Sequence, residues 1–229
     1  MGMTSGANRS RRLRSAAAIF AGAVALVAGS GCEIVGLASV MAESYKRTGT
    51  HEVEAEYRGL EGKSFAVIVA ADRALMAEYP RLQAEVTTVI AQRLRMESGA
   101  SGYVPPDVIL KFQTEEPRWK AMSVQDLAEE LGVERLVFVE LTDFRLREQG
   151  NAYLWSGVAS AQVGVLEADG AIDDEFVFRK SVKVDFPDKD GFGPQDYSAD
   201  HVTMRLRTRM CDRIVWLFHD HQEPYYPDY

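Results

Sequence analysis

The chain has 229 residues, 46% apolar and 26% charged, with a formal net charge of -8. That is enough for one sizeable core or two small ones, and two cysteines exclude a disulfide framework. From Cys32 onward 22 basic residues stand against 34 acidic ones, which argues against nucleic-acid binding, because that needs Lys and Arg clustered against phosphates.

Residues 1–32 fall into three zones. The stretch NRSRRLRS carries Arg9, Arg11, Arg12 and Arg14 and no acid. Ala16 to Ala28 is a run of 13 uncharged, mostly apolar residues. That suits a signal-peptide core and is short for a membrane span, which needs about 20 apolar residues. Gly29, Ser30 and Gly31 then lead into Cys32. This order resembles a bacterial lipoprotein signal peptide. The resemblance implies removal of residues 1–31 and a Cys32 sulfur that carries diacylglycerol, with two or three fatty chains such as palmitate in all. The usual leucine three residues before the cysteine is replaced by Gly29, with Leu26 and Val27 further upstream. The alternative is an ordinary signal peptide or an uncleaved anchor helix, with Cys32 incidental. Lipidation would hold the chain firmly, since each buried methylene contributes about 0.8 kcal/mol. It also removes Cys32 from pairing, so Cys211 is expected to be a lone, buried thiol.

Residues 32–51 are either a flexible tether or a short membrane-proximal helix, with Ile34, Leu37, Val40 and Met41 at helical spacing. A single α/β domain is expected over 52–221, and 222–229 form a C-terminal tail. SFAVIVAA (64–71) reads as a strand apolar on both faces. Residues 80–98 read as a helix with Pro80 in its first turn and Leu82, Val86, Val89, Ile90 and Leu94 on one stripe. DVILKF (107–112) reads as a short strand. Residues 123–134 read as a helix capped by Ser123 and stopped at Gly132. Three alternating segments follow at 135–148, 153–168 and 175–186, and they predict an antiparallel meander. In the last, Phe176, Phe178, Val182, Val184 and Phe186 are expected inward. Residues 197–221 read as a long helix with Ser198 as N-cap. Its row Val202, Leu206, Met210, Ile214 and Phe218 repeats every four residues, and Cys211 lies on a neighbouring apolar face. The fold class is therefore α/β (α+β): a two-layer sandwich with a mixed sheet of about five strands and helices on one face.

Motifs for chemistry are incomplete. GLEGKS (59–64) lacks the first glycine of a phosphate loop, since that position is Tyr57, and it enters a strand instead of leaving one. His219-Asp220-His221 places two ligands on opposite sides of a helix. Asp188-Lys189-Asp190-Gly191 lacks the later acids of a calcium loop. No G-x-S-x-G occurs, and His51 and His201 have no triad context. Glu140 is an odd carboxylate in an apolar strand. No cofactor, metal or nucleotide is expected. Aromatic rings in connecting segments (Tyr103, Trp119, Phe192, Tyr197, Tyr225 and Tyr226) are candidates for partner contact, or they fold back onto the domain.

The element order after the signal is similar to that of small envelope lipoproteins of the curli-secretion and Tol-associated type, over about residues 60–221. The blocks YRGLEGKSFAVIVAAD and ELGVERLVFVEL look like those of uncharacterised bacterial envelope lipoproteins. The resemblance implies a non-catalytic binding or assembly module of the cell envelope. It would be anchored in a lipid bilayer through Cys32, face the periplasm or the outside, and meet an envelope protein or a second copy of itself. The competing expectation is an envelope hydrolase using carboxylates of the 185–200 loop. A pocket joining Glu140 to a His or a second carboxylate would favour the hydrolase, and a flat aromatic patch or a free sheet edge would favour the binding module.

Overall fold

The computed structural model describes residues 49–169 and 175–224; Cys32, the proposed tether, and Tyr225 and Tyr226 lie outside them. Residues 52–222 belong to one compact unit, and Gly49–His51 and Glu223–Pro224 are the described part of another. Strands β1 (Thr50–Val53) and β7 (His221–Pro224) pair as a two-stranded sheet.

The main sheet has five strands in the order β3-β2-β4-β5-β6, with β2 at Ser64–Ala71, β3 at Gly102–Tyr103, β4 at Arg135–Arg145, β5 at Gly157–Glu167 and β6 at Phe178–Phe186. β2 runs parallel to β3 and β4, and β4, β5 and β6 form the expected antiparallel meander. The helices are α1 (Arg73–Glu78), α2 (Leu82–Glu97), α3 (Pro106–Glu115), α4 (Val124–Leu131) and α5 (Ala199–Val215). The caps read from the sequence are in place. The Ser123 hydroxyl accepts from the Asp126 amide at 3.1 Å, and that of Ser198 from the His201 amide at 3.2 Å. Gly132 ends α4 with φ 65°, a conformation that costs a residue with a Cβ.

Successive strand residues face opposite ways, so β2 feeds two cores. Phe65, Val67 and Val69 join Val137, Val139, Ala161 and Val163 under α2 and α5. Ala66 and Ile68 join Leu136 and Leu166 under α3, a 3-10 turn at Trp119–Ala121, and α4. The helices thus lie on both faces of the sheet, not on one. The reason is in the strands: β2 and the first half of β4 are apolar on both sides and need cover on both. β5 and β6 present Gln162, Arg179, Ser181 and Lys183 to the second face, where they stay exposed.

Residues 107–112 are helix, correcting the expected strand. Pro106 occupies the first turn of α3, where a missing amide costs nothing. Only Ile109 of this helix is buried. The place beside β2 goes instead to the two-residue β3. Phe176 is the second correction. It precedes β6 and packs with the second core, while Phe178 turns toward the first.

The row Val202, Leu206, Met210, Ile214 and Phe218 is at most 1% exposed, as its i+4 spacing predicts. Cys211 is equally buried, and burial pushes its thiol up to about 12. A thiol held neutral and out of reach does not attack disulfides. Native protein is therefore expected to leave Cys211 unlabelled by an aromatic disulfide reagent over hours, with stoichiometric labelling in denaturant. Rapid labelling of Cys211 in the native state would contradict this packing.

Candidate functional site

Strand register builds one floor on the second face. Ile68, Phe138, Gly164 and Arg179 lie in a row across β2, β4, β5 and β6. Ala70, Glu140, Gln162 and Ser181 form the next row. α4 and the 3-10 turn wall off one side with Leu127, Val124, Trp119 and Met122, and Phe176 with Arg179 supplies the other. Between them lies a cleft of about 650 Å3.

Gly164 is needed here. A Cβ at this position would sit 2.4 Å from the Phe176 ring, so the ring lies directly on the strand backbone. Phe176 meets Phe138 edge-on, with ring centres 6.0 Å apart. The Arg179 guanidinium rests 4.3 Å from the Phe176 ring centre, and the Lys120 ammonium 5.5 Å from that of Trp119. Among the described residues Glu140 is the single carboxylate on the lining, and no His or Cys joins it. The pocket that would have favoured a hydrolase is therefore absent from this cleft. Gln162 donates to Ser181 at 3.0 Å.

Two carboxylates of the 185–200 loop, Asp188 and Asp196, are engaged in the fold. Asp188 accepts two bonds from the Arg209 guanidinium, at 2.6 and 2.8 Å. Arg209 also donates to the Asp185 carbonyl at 2.6 Å. Asp196 accepts from the Gly193 amide at 2.8 Å. The other motifs are likewise tied down. Lys63 of GLEGKS reaches Glu134 at 2.8 Å and Asp169 at 3.1 Å. In the His-Asp-His segment, Asp220 binds Arg58 and the Ala55 amide, and His221 stacks on Trp216 with ring centres 4.7 Å apart. His219 Nε2 lies 2.7 Å from Glu97. Among the described residues no cluster of three His, Cys, Asp or Glu side chains could hold a metal ion.

Hydrogen bonding to Lys63 holds Glu134 below the usual carboxylate range, and hydrogen bonding to Arg135 does the same for Asp169. Carboxylates depressed in the folded state stabilise it above their unfolded values. That contribution is lost as pH falls through the lower native values, so below about pH 4. Urea midpoints measured from pH 6 to 3 are expected to fall more steeply for the wild type than for Lys63→Met. Equal slopes would show that this exposed network adds nothing.

The structure scatters the aromatic residues singled out in the sequence. Trp119 belongs to the cleft wall. Tyr103 lies beside Phe65, with ring centres 6.2 Å apart. Phe192 and Tyr197 come together at 5.2 Å, and Tyr197 stacks on His201 at 5.2 Å. Their carbonyls accept from the Trp155 amide and indole N–H, at 2.8 and 2.9 Å. Sequence reasoning missed Lys120, Phe138, Phe176 and Arg179 as cleft residues. The available signal was Gly164 inside an apolar strand, which marks a close approach.

β6 is the far edge of the sheet. The Phe186 carbonyl faces Gly157 on β5, 2.8 Å from where a Cβ there would stand. Alternate residues therefore turn their backbone groups outward. The Asp185 carbonyl is one of them, taken by Arg209, and those of Arg179, Ser181 and Lys183 form an edge that no sixth strand pairs among the described residues.

No family model matches the chain, and no curated protein does. Among solved structures, the PelC dodecamer from Paraburkholderia phytofirmans is similar at 11% identity, over 75% of this chain and 98% of that one, with a TM-score of 0.42. Lipoprotein GNA1162 from Neisseria meningitidis is similar at 11% identity, over 66% and 96%, with a TM-score of 0.43. The LpoB C-terminal domain from Salmonella enterica is similar at 11% identity, over 62% and 90%, with a TM-score of 0.22. Bacterial lipoproteins are thus among the structural neighbours. At these identities and scores none of them assigns a function to this chain.

Proposed function

We propose that this chain is a non-catalytic binding or assembly module, held at a bacterial envelope membrane by acyl chains on Cys32. The observation that carries the reading is the N-terminal sequence. A basic start, 13 uncharged residues and Gly29-Ser30-Gly31 stand directly before a cysteine. Two features support it. Cys211 is packed inside the core, so its burial requires no disulfide partner. The open β6 edge offers a strand-sized surface for main-chain pairing with an envelope protein or a second copy. Tyr103, Phe192 and Tyr197, with Tyr225 and Tyr226 of the tail, are further candidate contacts in this reading.

The experiment is mass spectrometry of the mature N-terminus combined with detergent phase partitioning. The expected result is a chain beginning at an acylated Cys32 that enters the detergent phase. Cys32→Ala should leave an uncleaved or water-partitioning product. A mature wild-type chain that begins upstream of Cys32, or stays in the aqueous phase, would overturn the anchor.

A further inference from the structure

We propose that the cleft on the second face of the sheet binds a small single-chain amphiphile with an anionic head, of the fatty-acid type. The apolar chain lies between Phe138 on the floor and Met122 and Phe176 on the walls, and the head is met by Arg179 and Lys120. Three observations carry this. First, about 650 Å3 between two walls is the size of a small-molecule site. A protein partner instead needs a patch of about 800 Å2. Second, Phe138, Met122 and Phe176 give the cleft an apolar and aromatic part beside the polar row of Glu140 and Gln162, on a face where β5 and β6 otherwise present polar side chains. Third, the lining inverts the charge of the molecule. The chain carries -8 overall, yet among the described residues Lys120 and Arg179 face a lone carboxylate, Glu140, on this lining. Among the described residues neither cation is in an ion pair; each lies over a ring, with its charge left for a ligand. Gly164 keeps the site open, because it lets Phe176 lie flat on the strand and hold Arg179 above it.

The inference does not depend on how Cys32 is modified, so its failure leaves the anchor untouched. The test uses the full chain in native membranes and three photoreactive C16 probes with the same diazirine-bearing chain. One ends in a carboxylate, one in an alcohol and one in a trimethylammonium group. Labelled peptides are mapped by mass spectrometry. The carboxylate probe is expected to label segments 119–127 and 176–179 at least fivefold more than the other two. The Lys120→Gln/Arg179→Gln double variant, with its fold checked by circular dichroism, is expected to lose that labelling about tenfold, while labelling elsewhere stays constant. Because both side chains are exposed, the double variant should fold. Gln162→Trp, at an exposed floor position, provides a second block that keeps both cations. Equal labelling by all three heads, absence of label from these segments, an unaffected double variant, or cross-linking of the cleft to a polypeptide would each overturn the proposal.

Discussion

Arg209→Met is expected to lower the unfolding free energy by about 3 kcal/mol, within the range for breaking a buried ion pair. Arg209 is 4% exposed. It grips Asp188 with both terminal nitrogens, ties the Asp185 carbonyl, and lies 4.9 Å from the Phe186 ring centre. Methionine fills much of the volume but leaves a carboxylate and a carbonyl without their donor. The cost comes from those stranded groups more than from lost attraction. The Arg209→Met/Asp188→Leu pair should therefore recover at least half of the loss. Urea unfolding of the two single variants and the double closes the cycle. A single-variant cost below about 1 kcal/mol would mean that water already solvates the pair.

Phe218→Ala should cost about 3–5 kcal/mol, the range for emptying a buried aromatic site. The ring is 1% exposed and terminates the i+4 row of the last helix. It meets Tyr57 and Phe178 with ring centres 6.0 and 6.1 Å apart. Three rings from distant parts of the chain thus close one end of the first core. A domain of this size loses about 2–4 °C per kcal/mol, so the melting temperature should drop by roughly 10 °C. Phe218→Leu keeps most of the volume and should lose less than half as much. A drop of only a few degrees for the alanine variant would show that Tyr57 and Phe178 collapse into the gap.

Local patterns carried most of the fold. The apolar run at 64–71 is a strand buried on both faces, the alternation from 135 to 186 is the meander, and the caps at Ser123 and Ser198 sit where the residues indicate. The failures came where local pattern is ambiguous. Residues 107–112 mix β-branched and long apolar side chains in a six-residue run, too short for periodicity to separate strand from helix. Phe176 lies one step before a strand, so alternation alone could not give its face. The cleft was illegible for a different reason. Its floor rows are made by register across several strands, and residues such as Phe138 and Arg179 fall into one row only through that pairing. The loop carboxylates looked available because Asp188 and Arg209 are 21 residues apart.

The sequestered sulfur of α5 ties chemical survival to the order of folding. Cys211 reaches shelter only when this helix settles onto the strands. Until that moment the sulfur is open to oxidants and to other thiols. Closing the core and ending that exposure are one event, so anything that delays the helix lengthens the interval in which the chain can be cross-linked to the wrong neighbour.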